Sequence, residues 1–210
     1  MALVLLHGLG TGPEAWRPQL DALEPDRSVL APRLRLDGGF SIEREARRLW
    51  GGLPAEPLDL CGLSLGALVA LRMALDGPRR VRRLLLCAGF ASLPLRFRLL
   101  QSAVGTVAAL VPAGARGDLG GLDRATIRAI FRAGRRFDVS EELGRLALPV
   151  LVLVGERDRA NIGLSTALAA ALPHGRLETV PGAGHVANVD APEAFTAALR
   201  SFLGADDPQP

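Results

Sequence analysis

Lysine is absent from this chain of 210 residues; all 25 of its basic residues are arginine. The formal net charge of +3 and the isoelectric point near 9.9 therefore follow from the use of arginine. The arginines are spread along the chain and interleaved with acids, whereas a nucleic-acid binder gathers its cations into a patch or stripe. No nucleic-acid partner is expected. Cysteine is scarce too. Cys61 and Cys87 are the only two. Both sit in apolar runs, which excludes a disulfide framework and suits free buried thiols of a cytoplasmic protein. No apolar stretch reaches the ~20 residues a membrane helix needs, so no membrane span is expected. The N-terminus lacks a basic region and its apolar run stops at His7, so no signal peptide is expected either. Repeats, heptads and low-complexity runs are missing.

What the sequence does contain is an alternation of short apolar runs with helical patterns. The runs are 2–6 (ALVLL), 28–32 (SVLAP, the weakest), 58–62 (LDLCG), 81–89 (VRRLLLCAG), 149–155 (PVLVLVG) and 176–182 (RLETVPG). Most are continuously apolar and rich in Val and Leu, as strands covered on both faces are. Helices are expected at 13–24, opening on Pro13, at 41–50, capped by Ser41 with glutamates following, and at 65–75, 160–172 and 191–203. Strand alternating with helix implies a mostly parallel sheet of about six strands with right-handed crossovers. Residues 91–145 break the rhythm and read as two or three helices with a Gly-rich stretch at 112–121 and no clear strand. They are expected to form a small helical lid on a core of residues 1–90 and 146–210.

In open parallel sheets, ligands bind outside the carboxyl ends of the strands. Four polar groups fall there: His7 to Gly10, Ser64, Glu156 to Asp158, and His185. The segment Gly62-Leu63-Ser64-Leu65-Gly66 fits G-x-S-x-G between a strand and a helix, the context in which a sharp turn presents a serine oxygen above the sheet. A serine needs a base. Of the three histidines, His7 precedes the glycines of the first loop and is read as bracing it. His174 lies in an exposed turn, while His185 follows the sixth strand among small residues and is the candidate base. Asp158 is the candidate acid that orients it, in the order Ser64…Asp158…His185. Glu156 competes, because two-residue spacing puts it on a similar face. Backbone N–H groups of Leu65 and Leu9 are candidate donors to a developing oxyanion, worth about 3 kcal/mol each. The first loop (HGLGTGP) is not a phosphate-binding loop: there is no lysine, and no G-x-G-x-x-G with a downstream acid. No cofactor or metal is expected.

The motifs LVLLHGLG with a following Trp, LCGLSLGALVAL, VGERD and VPGAGHVANVDAPEAF together resemble the α/β-hydrolase superfamily over nearly the whole chain except the lid. The resemblance implies that Ser64 is the nucleophile, His185 the base, Asp158 the acid, and Leu9 and Leu65 the oxyanion donors. Within the superfamily the chain is similar to small carboxylesterases of the pimeloyl-carrier-protein methyl esterase type and to 3-oxoadipate enol-lactonases. Two departures stand out. The chain begins at the first motif, without the β-hairpin usual before it. A different loop (PRLRLDGGFS) also replaces the D-x-P-G-x-G-x-S pattern after the second strand.

The expected reaction is hydrolysis of a carboxylic ester or thioester through an acyl-enzyme. Lactone or carbon–carbon bond hydrolysis by the same triad, or a poorly catalytic receptor of the same fold, are the alternatives. Residues 91–145 carry nine Arg against five acids while the rest of the chain is nearly neutral. This local excess fits either a solvated helix face or an acidic small-molecule substrate.

Overall fold

The computed structural model describes residues 1–24, 26–111, 119 and 121–204. Six strands form one sheet: β1 (Leu3–Leu6), β2 (Val29–Leu30), β3 (Leu58–Leu63), β4 (Val81–Cys87), β5 (Val150–Gly155) and β6 (Gly175–Val180). Their order is β2-β1-β3-β4-β5-β6, and every pairing is parallel, with Leu5 opposite Cys61 and Leu63 opposite Cys87. The chain's direction of travel across the sheet reverses between β1 and β3. That switch point splits the connections to opposite faces and opens a crevice at the carboxyl ends.

The helices are α1 (Arg17–Leu23), α2 (Ile42–Gly52), α3 (Leu65–Asp76), α4 (Leu95–Leu110), α5 (Arg124–Arg136), α6 (Arg159–Ala171), α7 (Ala187–Asp190) and α8 (Pro192–Gly204). Because strand side chains alternate, each apolar run feeds two cores. Val4, Leu6, Leu60, Leu84 and Val152 pack under α2 and α3. Leu3, Leu5, Cys61, Leu85 and Leu153 pack against Trp16, Phe195 and Leu199 on the other face. Burying each such Leu contributes about 1.5–3 kcal/mol. Both cysteines are free and fully enclosed, and burial pushes their thiols well above the ordinary range.

Several expected elements change shape. The second strand shrinks to two paired residues, and the segment from Pro13 opens as a 3₁₀ turn (Pro13–Trp16) before α1. Ser41 does cap α2, its Oγ accepting the Arg44 N–H at 3.1 Å. The glutamates do not complete a reciprocal box, however. Buried Glu45 instead accepts the Arg35 N–H at 2.8 Å and pairs with Arg48, fastening the loop after β2. The sixth strand is a half-exposed edge on which Arg176 pairs with Glu178, a pattern that discourages edge-to-edge association.

Between β4 and β5 the described residues hold α4, α5 and a 3₁₀ segment (Ser140–Arg145), with a single antiparallel bridge from Ser92 to Asp138. Apart from Leu119 and Gly121, the Gly-rich stretch 112–121 lies outside the described residues. Just beyond the C-terminus of α5, Val139 donates its N–H to the Ala91 carbonyl, close after β4. At the N-terminus of α5, Ala125 lies against Gly38, in the loop after β2. The helix thus reaches from the loop after β4 to the loop after β2, strands that have β3 and β1 between them in the sheet.

Candidate active site

Ser64 is the residue at which β3 becomes α3. Its backbone adopts φ 52° and ψ −113°, a region costly for a residue with a side chain. The strain is held by packing and hydrogen bonds. The Ser64 N–H donates to the Cys87 carbonyl at 2.8 Å, and its own carbonyl accepts from Ala67 and Leu68. Gly62 and Gly66 are required because there is no room for anything larger. A methyl on Gly62 would overlap the Gly66 carbonyl, and one on Gly66 would overlap the carbonyl oxygens of Leu6 and His7. The turn is therefore pressed directly against the end of β1.

The structure brings Ser64, His185 and Asp158 into one hydrogen-bonded chain. The Ser64 Oγ lies 3.0 Å from His185 Nε2, and His185 Nδ1 lies 2.7 Å from Asp158 Oδ2. A carboxylate only accepts, so Nδ1 carries the imidazole proton and Nε2 is left as the acceptor facing the serine. Asp158 is buried at 7% exposure, while the His185 side chain is 45% exposed. The aspartate is thus sealed and the histidine stays within reach of water. Burial opposes ionisation of Asp158, but hydrogen bonds from His185 and Asn161 outweigh it and hold the carboxyl below its usual range.

Glu156 is turned elsewhere. The strand ends at Gly155 and the chain turns there, with the Asp158 N–H donating to the Gly155 carbonyl, so two-residue alternation no longer applies. Glu156 accepts the Gly182 N–H at 2.7 Å, and the Arg157 N–H donates to the Ala183 carbonyl at 2.8 Å. These two bonds stitch the acid loop to the histidine loop. His7 is likewise a brace. Its Nε2 accepts the Leu34 N–H at 3.0 Å and its Nδ1 donates to the Gly8 carbonyl at 2.8 Å, which ties the loop after β1 to the loop after β2. His174 is exposed, as expected of a turn residue. Leu9 stands in the loop braced by His7, and Leu65 opens α3, where a first-turn N–H has no partner within the helix.

Sequence reasoning missed two supports. Asn161, one turn into α6, donates from Nδ2 to both oxygens of Asp158, each at 2.9 Å, and lies alongside His185 Nδ1. Asn188, on α7 just beyond His185, is fully buried. Its Nδ2 donates to the Ala15 carbonyl, while Gln19 donates to the Asn188 carbonyl and to Thr196. The histidine loop is thereby pinned to the segment around α1. A capping-type spacing of three between Asp158 and Asn161 was readable, but only a known helix start gives it meaning.

A doubly wound parallel sheet with a strained serine at its switch point defines a hydrolase of the α/β class. Residues 3–198 match the model of the alpha/beta hydrolase family, and the chain belongs to that family and is a hydrolase. It is 31% identical to RutD of Escherichia coli (strain K12 / DH10B), whose assigned name is that of a carbamate hydrolase, over 97% of this chain and 91% of that protein. A solved hydrolase from Pseudomonas aeruginosa PA01 superposes with a TM-score of 0.86 at 27% identity, covering 97% of this chain and 90% of that one. The enol-lactonase from Burkholderia xenovorans LB400 shares the fold, with a TM-score of 0.80 at 24% identity over 97% and 91% of the two chains. Among the described residues no helix is long and apolar enough to cross a membrane.

Proposed function

We propose that the chain hydrolyses a small-molecule carboxylic ester or thioester through an acyl-enzyme on Ser64. The observation that carries this reading is the continuous hydrogen-bonded chain from Ser64 through His185 to Asp158. His185 Nε2 takes the hydroxyl proton as the Ser64 Oγ attacks the carbonyl carbon, and ionised Asp158 stabilises the imidazolium that forms. The N–H groups of Leu9 and Leu65 receive the oxyanion. Collapse of the tetrahedral adduct expels the alcohol or thiol, which leaves with the proton from His185. Water then repeats the sequence on the acyl-serine, with His185 as base, and frees the acid. The exposed flank of His185 gives that water its approach.

Residues 91–145 serve as the lid over this site and residues 1–90 and 146–210 as the core, in keeping with the reach of α5. The enclosed reduced thiols suit the cytoplasm. A carbamate is the second reading, favoured by the 31% identity to RutD over almost the full chain. Attack on its carbonyl uses the same residues.

Ser64→Ala should abolish turnover of p-nitrophenyl acetate and labelling by a fluorophosphonate while the circular dichroism spectrum stays unchanged. Asp158→Asn should lower kcat by about 10⁴-fold, and Glu156→Gln by far less. An active Ser64→Ala enzyme would end the acyl-enzyme reading. A reversal of the two carboxylate results would move the acid to Glu156. A wild-type panel of esters, lactones and carbamates separates the bond classes, and slow turnover of every member would point to a receptor.

A further inference from the structure

We propose that the cavity between α5 and the loop 38–43 is a subsite for a carboxylate of an aliphatic acyl substrate, held by Arg132 and Arg136. The inference rests on the hydrolase reading above. The cavity, open to solvent on one side, has a volume of about 340 Å³. Arg132 and Arg136 stand one turn apart on the same face of α5 and line it together. Among the described residues neither has an ion-pair or hydrogen-bond partner. Elsewhere in the same inserted segment Arg98 pairs with Asp138 and Arg145 with Glu142.

Both side chains are exposed, and the helix sets them in a row of like charge. Arg124, Arg128, Arg132 and Arg136 recur at every fourth position and α5 contains no acid. Like charges so spaced repel one another and destabilise a helix. An anion seated between Arg132 and Arg136 relieves part of that repulsion, and guanidinium groups match carboxylates with paired N–H donors.

The other walls suit a methylene chain. Phe40, Ala129 and Ala133 are apolar, and α2 begins at the cavity's rim with its positive end. Among the described residues Glu43 is the one acid lining the cavity. It lowers the local charge, so its removal should tighten binding. Phe40, Ala129 and Leu65 belong to one large apolar core, against which Leu9 packs, and α5 lies between the loops that follow β4 and β2.

The test has a binding arm and a kinetic arm. Calorimetry with adipate on the wild-type protein should give a saturable isotherm that weakens at least about tenfold in Arg132→Gln/Arg136→Gln, tightens in Glu43→Gln and weakens with salt. In the kinetic arm, the ratio of kcat/KM for monomethyl adipate to that for methyl hexanoate should fall about tenfold in the double variant. Adipate binding or an ester ratio that ignores the double variant would overturn the subsite. So would inorganic phosphate binding as tightly as adipate, which would mark a general anion patch. If the wild type hydrolyses neither ester, the carboxylic-ester reading fails, while the adipate isotherm still decides whether the carboxylate subsite exists.

Discussion

Asp158 shows how one side chain is given a single task. It stands at the N-cap of α6, where an aspartate usually accepts amide protons from the first turn, yet its side chain makes no capping bond there. The carboxylate faces His185 instead, and Asn161 supplies the donor that keeps it ionised in a buried place. Removing that donor leaves burial less opposed. Asn161→Ala should therefore raise the Asp158 pKa toward its ordinary value and lower kcat about tenfold, in line with about 1.5 kcal/mol for a hydrogen bond to a charged group. KM should change little. Carboxyl-carbon NMR titration of Asp158 checks this, since its midpoint should move to higher pH in the variant. An unmoved midpoint would leave Asn161 as packing alone. Sequence order and strand-end position made Ser64, Asp158 and His185 legible, but Asn161 lacked any such signal.

At the scale of elements, the junction of β3 and α3 governs where the serine oxygen stands. The turn is pressed onto the end of β1 because Gly66 has no side chain, and the contact is backbone to backbone, so neither partner can swing aside. Gly66→Ala should cost about 3 kcal/mol in urea denaturation, at the upper end for overpacking, and should lose activity beyond what the stability change explains, because Ser64 shifts with the helix. Stability close to wild type would show that the junction can yield. The glycines around Ser64 were legible as a motif. The outcome for Glu156 was not, since alternation along β5 stops where the chain turns at Gly155. The apolar runs announced the strands, but the length of β2 depended on which residues found a partner on β1. Glu45 offers a similar lesson. Its place near the start of α2 suggested a cap, and only the fold showed it fastening Arg35 and Arg48.

Across the whole molecule, the loops at the carboxyl ends are tied to one another: the first to the second through His7, the acid loop to the histidine loop through Glu156 and Arg157, and the histidine loop to α1 through Asn188. His7 makes this frame sensitive to pH. Its desolvation by burial is the main cause of a pKa below the ordinary 6.5, and as a neutral ring it accepts the Leu34 N–H. The unfolded chain binds a proton near pH 6.5 that the folded loop resists, so the stability His7 contributes is present above that pH and is lost as pH falls toward the folded value. Asp158, held below 3.8, adds a second loss at more acid pH. Urea midpoints measured between pH 7.5 and 5 should fall for the wild type, and His7→Gln should flatten that interval while keeping the steeper decline below it. What the sequence determined by itself was the α/β class, the strand ends and the three residues of the serine–histidine–acid order, because periodicity and small-residue spacing are local properties written in chain order. What only tertiary structure decided was which neighbour each polar side chain met. Glu156 went to Gly182, His7 to Leu34, Asn161 to Asp158, and Arg132 and Arg136 came to share a cavity with Phe40. Those meetings join residues from separate crossovers, and they depend on how far each loop reaches once the sheet has closed its register.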